Sequence, residues 1–523
     1  MQMFNEGDPD LWGRLAIGRM IWESHGQILP FVDTFSYTAY GAKWIDHEWG
    51  SSVFLYGLWQ SLGPGSILIA KFVFFALTAG LNLWTAGVVA NAYLSQKVDE
   101  MSAESSDMRP SWTLASVIVM VLYICLIPTG WLVSSRCHIF SFFGFSLFLA
   151  LANGYFWQKL SRTWLWLTPC WMLFWVNLHG GFLMGFIVLG VFGLRSAITR
   201  QWDKCYAFFV VLIICLAVTI LNPYGFSFYP HMVYSWLLNR PLITEWQSLP
   251  NFSPDYTLFF LACSFITVVL GAWGWRRDRL SPDSNRITQH PRQPLAQQLI
   301  FSAFVFGLFG VAAWMHVKLI PFFGQIWLIE TMGLLFWVRP GQGNSALPTS
   351  PHSRSSHLYS NFYRWLLPLG VSLGLFIITV SSDTLKPQHF PSQRKYPEKA
   401  MDWLAQQHAT GNIFCHFDWG EYILWRGYPA LRVSIDGRFE ELYSVPMTES
   451  MYRFYRALEN RDGDAHSARQ ILTQFPTTQW VIIPESIHKK LSRAQNKIVF
   501  PDSQWALVYQ DSVASVYQHK HWG

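Results

Sequence analysis

Asp8-Pro9-Asp10 places two carboxylates two residues apart in the first polar segment of the chain. Such a pair can hold a divalent cation, Mg2+ or Mn2+, or one member can take the proton of an attacking hydroxyl as a general base. Aspartate just before a helix is equally a cap for backbone N–H groups, and Asp462-Gly463-Asp464 shows that the spacing also recurs without special context. A second cluster, Lys43-Trp44-Ile45-Asp46-His47-Glu48-Trp49, sets three ionisable groups between aromatics. It reads as a binding surface or as an aromatic belt with another cap. Further polar residues recur where apolar runs end: Arg136 and His138, Asn177 and His179, Asn222 and Tyr224, Glu245 to Gln247, His316 and Lys318. Cations and imidazoles gathered at one mouth, beside two acidic clusters, suit a substrate with an anionic head and a buried apolar tail.

Three other features carry possible chemistry. Glu330 falls near the middle of an apolar run, where a carboxyl is costly and becomes either a functional group or hydrogen-bonding glue. Asp418-Trp419-Gly420-Glu421-Tyr422 and Asp436-Gly437-Arg438-Phe439-Glu440 each follow an expected strand, as ligand-site turns do, although Asp-Gly is also an ordinary turn. The sequence contains no P-loop, GxGxxG, HExxH or GxSxG pattern, so nucleotide-driven chemistry finds no support. Of seven cysteines, six lie in or beside apolar runs and none forms a CxxC pair, which reads as small buried hydrophobes.

The elements that must position these residues are mostly apolar. In 523 residues, hydrophobic side chains make up 51 % and charged ones 13 %, with 28 Trp and 41 Phe. This excludes disorder, a coiled coil and an ordinary cytosolic enzyme. Ten runs approach the length that crosses a bilayer: 64–94, 111–133, 137–156, 163–178, 181–199, 205–221, 257–275, 297–315, 319–338 and 363–381. One set of intervening loops holds fifteen Lys and Arg, from Lys97 to Arg364; the opposite set holds Arg136, Arg240 and Lys318. The positive-inside bias makes the first set cytoplasmic and puts both chain ends outside. Because those charges are spread over five loops, the net charge of +6 is a topology signal and not a nucleic-acid patch. No apolar run precedes the outer segment 1–63, so that segment is either translocated unaided or follows a first helix that the sequence lacks. The expected organisation is an outer segment, 1–63, with amphipathic helices; a transmembrane bundle, 64–381; and an extracytoplasmic α/β domain, 382–523. In the last, strands are expected over 412–417, 431–435, 480–483, 505–510 and 513–518, with helices between them.

Taken together, Asp8-Pro9-Asp10-Leu11-Trp12, Gly18-Arg19, His25-Gly26, Asp33 to Thr38 and Trp44 to Trp49 resemble a bacterial family of polytopic, GT-C-type glycosyltransferase-like membrane proteins. So do Trp175 to Phe182, Leu221-Asn222-Pro223-Tyr224-Gly225, Thr244 to Ser248, Asp418-Trp419-Gly420 and Ile435 to Arg438. The resemblance implies a multi-pass protein of the bacterial inner membrane that moves a sugar from a polyprenyl-phosphate donor to a glycan, lipid or protein acceptor outside the cytosol. It implies that Asp8 or Asp10 is the catalytic base or a metal ligand. In that reading Arg136, His138 and Lys318 steady the departing lipid phosphate, while Asp46, His47, Glu48, His179 and Glu245 line the substrate pocket. Two alternatives share the bundle: a non-catalytic assembly scaffold, and an O-antigen ligase or polymerase-like enzyme that works through outer Arg and His. The donor sugar, the acceptor and the oligomeric state stay open.

Overall fold

The computed structural model describes residues 8–95, 109–126, 135–238, 240, 243–279, 295–338, 396–459, 464–491 and 493–521. Helix α1 (Pro9–Glu23) starts where Asp8, in extended backbone, accepts the N–H of Asp10 at 3.1 Å, with Pro9 at the first helical position. It packs along α2 (Trp49–Leu62), and Gly18 lies so close to the Ser52 carbonyl that a side chain there would clash. Next come α3 (Gly65–Ser95), α4 (Arg109–Leu126), α5 (His138–Phe156), α6 (Leu167–Leu178), α7 (Leu183–Ile198), α8 (Trp202–Val218) and α9 (Phe228–Leu237). The bundle ends with α10 (Pro254–Arg279), α11 (Leu295–Met315) and α12 (Ile320–Val338).

Among the described residues, five segments are long and apolar enough to cross a membrane: Gly65–Tyr93, His138–Phe156, Gly180–Ile198, Pro254–Arg276 and Val317–Val338. They mark a multi-pass membrane protein. Their burial sorts them. His138–Phe156 and Val317–Val338 form the bundle's centre, each with 83 % of its most apolar window buried, while Pro254–Arg276 has 28 %. Leu258, Phe265 and Val268 on α10, like Phe209 and Ile213 on α8, point away from the core as lipid-facing residues do.

The expected count of ten spans is not confirmed by the described residues. The run at 163–178 supplies only the 12 helical residues of α6 after a short 3-10 turn. At about 1.5 Å per residue these reach roughly 18 Å, against a hydrocarbon core of about 30 Å. The helix stops at His179, whose backbone is extended, so the break at Asn177 to Gly181 divides a short helix from a long one. The runs at 111–133, 205–221 and 297–315 appear as α4, α8 and α11, and 363–381 lies outside the described residues.

The C-terminal part folds as a mixed five-stranded sheet. Its strands are β1 (Gly411–Cys415), β2 (Leu431–Val433), β3 (Trp480–Pro484), β4 (Trp505–Gln510) and β5 (Ala514–His519), in the order β2-β1-β3-β5-β4. β2, β1 and β3 are parallel, with Ile413 opposite both Val433 and Trp480; β5 runs antiparallel to β3 and β4. Helix α13 (Glu398–Gln406) precedes the sheet, α14 (Phe417–Gly427) links β1 to β2, and α15 (Val445–Glu459) and α16 (Ala465–Thr473) lead to β3. All five strands fall within two residues of their expected bounds, because each is a short apolar run closed by turn residues.

The first segment and this domain are not separate bodies. Residues 35–37 add to the free edge of β2: the Tyr37 N–H donates to the Val433 carbonyl, and the Val433 N–H to the Phe35 carbonyl, each at 3.1 Å. Leu11, Leu15, Ile17, Leu55, Ile413, Ile423, Val433 and Ile482 belong to one continuous buried cluster. A cap made of both chain ends therefore sits on one end of the helical bundle.

Candidate functional site

Between cap and bundle lies a cavity of about 520 Å³. Its wall includes Asp10, Asp46, His47, Glu48, Arg136, His138, His179, Glu245 and Lys318, which is every singled-out site residue except Asp8. Asp8 sits just behind the wall, where its Oδ1 accepts from Arg136 Nε at 2.6 Å.

Arg136 is the hub of the acidic side. Besides Asp8, its Nη1 lies 2.5 Å from Glu245 Oε1 and 3.4 Å from Asp10 Oδ2. Three carboxylates around one guanidinium hold its charge permanently. This bears on the metal. The sequence suggested a divalent cation at Asp8 and Asp10, but the guanidinium occupies the space between them. No third metal-type donor joins them among the described residues. The pair does not fit a metal ion, and Arg136 supplies the positive charge there. It follows that Arg136 is not a free phosphate clamp.

Asp10 keeps a special position. Burial raises its pKa from 3.8 to about 7; the neighbouring carboxylates Asp8, Glu245 and Glu48 add to the rise, and Arg136 opposes it. Its side chain is 44 % exposed towards the cavity, and lost hydration is the largest cause of the rise. On the other flank stands Glu421 of α14, buried and accepting the Gly13 N–H at 3.2 Å through Oε2. Its pKa is raised by burial and by Asp10. The two carboxyls meet across Gly437: a Cβ there would stand 2.5 Å from Glu421 Oε1 and 3.2 Å from Asp10 Oδ1.

One helical turn beyond Asp10, Arg14 faces the same side and bonds Asp46 at 2.5 Å, with Glu48 at 3.7 Å. Burial would raise the Glu48 pKa, yet His47, His179 and Arg14 outweigh it and hold the carboxyl at about 2. His179 is oriented by a relay. Trp175 Nε1 donates to Ser141 Oγ at 2.8 Å, and Ser141 Oγ lies 2.6 Å from His179 Nδ1. The Gly181 N–H also donates to Nδ1, at 3.0 Å. With Nδ1 accepting, the ring proton of the neutral form sits on Nε2, which faces Glu48 Oε1 at 3.6 Å. Burial lowers the His179 pKa to about 4, so the neutral form prevails at pH 7. Gly181 is required because any side chain would strike Ser141 Oγ.

The cationic side centres on Trp246. Lys318 Nζ lies 2.8 Å from its ring centroid, and the Arg240 guanidinium 4.2 Å from it. The loop is pinned by His316 Nδ1 against the Trp246 carbonyl at 3.0 Å and by the Val317 N–H on the Gln247 carbonyl at 3.1 Å. Arg240 also donates to Ser235 Oγ and to Glu441 Oε1, both at 2.8 Å. Lys318 has no carboxylate in ion-pair contact among the described residues.

Several motifs hold the cavity's walls together, and Gly437 and Arg438 among them also line it. Asp33, fully buried, accepts from the N–H groups of Phe35 and Ser36 and from Arg438 Nη1 at 2.6 Å. Arg438 grips Asp436 with two donors at 2.8 and 2.6 Å, and Tyr443 donates to the same carboxylate. Asp436-Gly437-Arg438 thus clamps the first segment to the sheet domain. Asn177 accepts from Trp49 Nε1 at 2.9 Å, and Asn222 caps the turn at Tyr224. Glu330 is half-buried in the bundle, away from the cavity, with one buried carboxyl oxygen that has no hydrogen-bond partner among the described residues. Arg14, Arg240 and Glu441 were missed as site residues. Arg14 could have been found from its i+4 spacing to Asp10; Glu441, brought in by the sheet domain, gives no local signal.

No family model matches the sequence, and no curated protein matches it. Among solved structures, the chain is similar to the oligosaccharyltransferase of Archaeoglobus fulgidus tethered by a disulfide to an acceptor peptide containing the NVT sequon. Sequence identity is 11 %, the match covers 99 % of this chain and 71 % of that one, and the TM-score is 0.49. The same enzyme in complex with zinc and sulfate gives 10 %, 99 %, 70 % and 0.46. Scores below one half transfer neither fold nor activity to this chain.

Proposed function

We propose that the chain is an integral-membrane glycosyltransferase that moves a sugar from a polyprenyl-phosphate donor to an acceptor outside the cytosol. One observation carries this reading: a cavity between cap and bundle holds a carboxyl that titrates near neutrality on one wall and two cationic side chains, Lys318 and the Glu441-paired Arg240, on the other. Asp10 would take the proton of the acceptor hydroxyl as that oxygen attacks the anomeric carbon; a base titrating near the working pH is the effective kind. Glu421, whose proton affinity is raised by burial and by Asp10, stands beside it across Gly437. The departing lipid phosphate gathers charge, and Lys318 and Arg240, stacked on Trp246, are the fixed positive groups that gain most from it. Arg136 sets the geometry and proton affinity of Asp10. His47, His138 and His179 with Trp44 and Trp236 would shape the sugar pocket, whose volume suits a small glycosyl group.

A second, apolar groove of about 700 Å³ runs along α2 and α3, lined by Phe54, Leu58, Leu62, Ile69, Val73 and Phe74. Phe54 and Phe74 both pack on Phe140, two residues along α5 from His138 on the cavity wall. A prenyl tail lying in this groove would bring its phosphate to the cavity. The test is transfer from a radiolabelled polyprenyl-phosphate sugar by the purified chain. Loss of at least about 100-fold is expected in Asp10→Asn, the usual scale for a missing general base. Equal rates for wild type and Asp10→Asn overturn the assignment. Retained activity in Asp10→Asn with loss in Arg136→Ala points instead to the ligase or polymerase class.

A further inference from the structure

Outside the acid–base machinery, three side chains from distant parts of the chain converge. His47 lies in the turn before α2, His231 on α9, and Glu441 in the short helix Phe439–Leu442 of the sheet domain. One donor atom from each lies within 4.8 Å of the other two. The His47 and His231 ring centroids are 6.3 Å apart. His231 Nε2 is buried and finds no hydrogen-bond partner among the described residues, a costly state for a ring nitrogen. Glu441 Oε1 accepts from Arg240 Nη2 and from Ser235 Oγ, which fix the plane of its carboxylate as outer-shell donors do for metal-binding carboxylates.

We propose that His47, His231 and Glu441 form a zinc-class metal site that fastens the sheet domain to the outer segment and to α9. Two imidazoles and one carboxylate are the donor set of zinc, whereas Mg2+ and Ca2+ prefer oxygen alone. Zinc bonds of about 2.0–2.1 Å put tetrahedral donors roughly 3.3 Å apart, so small side-chain rotations close the set. Three protein ligands leave the fourth position for water or for a group from the cavity that His47 and Glu441 line. Glu48, Cys137 and His179 form another convergent trio. There, the Cys137 thiol would have to ionise beside the Glu48 carboxylate. The first set contains no thiol and needs no such step. The proposal does not depend on the transfer reaction.

The purified full-length chain, stripped with chelator, is titrated with Zn2+ in competition with a chromogenic chelator. One ion per chain is expected, with affinity falling about tenfold or more in His231→Asn and Glu441→Gln. Both variants should lose the wild type's rise in Tm with zinc, each measured against its own metal-free Tm. Co2+ in the wild type should give a visible spectrum without a thiolate charge-transfer band, a readout that needs no variant. Failure of the wild type to take up stoichiometric zinc overturns the site. So does unchanged affinity in both variants, or loss in Cys137→Ser together with a thiolate band, which would place the ion in the other trio.

Discussion

Asp10 decides the chemistry because its carboxyl is pulled two ways. Lost hydration and three neighbouring carboxylates favour the proton, and one guanidinium opposes it. The balance near pH 7 has two consequences. If Asp10 is the base, transfer falls about tenfold per pH unit below roughly pH 7 and levels off above it, and a pH–rate profile shows this directly. The stability consequence has the opposite sense. A carboxyl whose folded pKa exceeds its ordinary 3.8 takes up a proton on folding, so its contribution is fullest below about pH 4 and is lost as pH rises through about 7. Thermal melts between those values should show wild-type stability declining relative to Asp10→Asn. Arg136→Met removes the shared counter-charge from Asp8, Asp10 and Glu245. Breaking a buried pair costs about 3–5 kcal/mol, and rather less at a mouth open to water, so the Tm should fall. The pH midpoint should rise, because the one cation that favours ionised Asp10 is gone.

At the scale of elements, the signature glycines mark places where two backbones touch. Gly420 brings α14 against the Ile435 carbonyl and the Asp436 backbone, which ties Asp418-Trp419-Gly420 to Ile435-Asp436-Gly437-Arg438 as two halves of one contact. Gly420→Val should cost about 1–3 kcal/mol or more by overpacking, seen as a lower Tm and faster proteolysis of the sheet domain, with the bundle intact. The strands were legible because local alternation and turn residues set them. The division of 163–199 into a short helix and a long one was half legible: Asn177 to Gly181 announced a break, while the 12-residue length of α6 depends on the bundle around it. The pairing of residues 35–37 with β2 was not legible, since a three-residue edge strand nearly 400 residues from its partner leaves no periodic trace. The convergence of outer acids, His and cations was readable from where apolar runs end. Their partners were not: that Arg136 serves three carboxylates and Lys318 a Trp ring depends on side-chain directions fixed only by tertiary packing.

The whole molecule behaves as a cap built from both chain ends on one end of a helical bundle. Its strongest tie is Arg438, which bridges the fully buried carboxylates Asp33 and Asp436. Arg438→Met strands two buried negative charges, a loss of about 3–5 kcal/mol, and should open the cap to protease at temperatures the wild type withstands. Because the cap shares one core, its two ends must lie on the same side of the membrane, and the charge bias of the loops predicts an extracytoplasmic side, a prediction still to be tested. Single-cysteine probes test this in intact cells expressing the chain. Tyr40→Cys sits on an exposed turn of the first segment, and Lys489→Cys on the sheet domain, where the lysine side chain is 69 % exposed. Both should react with a membrane-impermeant maleimide before lysis. Arg162→Cys, in a loop at the other end of α5, should react only after permeabilisation. Labelling of the first two positions from opposite sides would be incompatible with a common core. Labelling of both only after lysis would reverse the orientation and place the cavity, with any sugar donor it binds, on the cytosolic face.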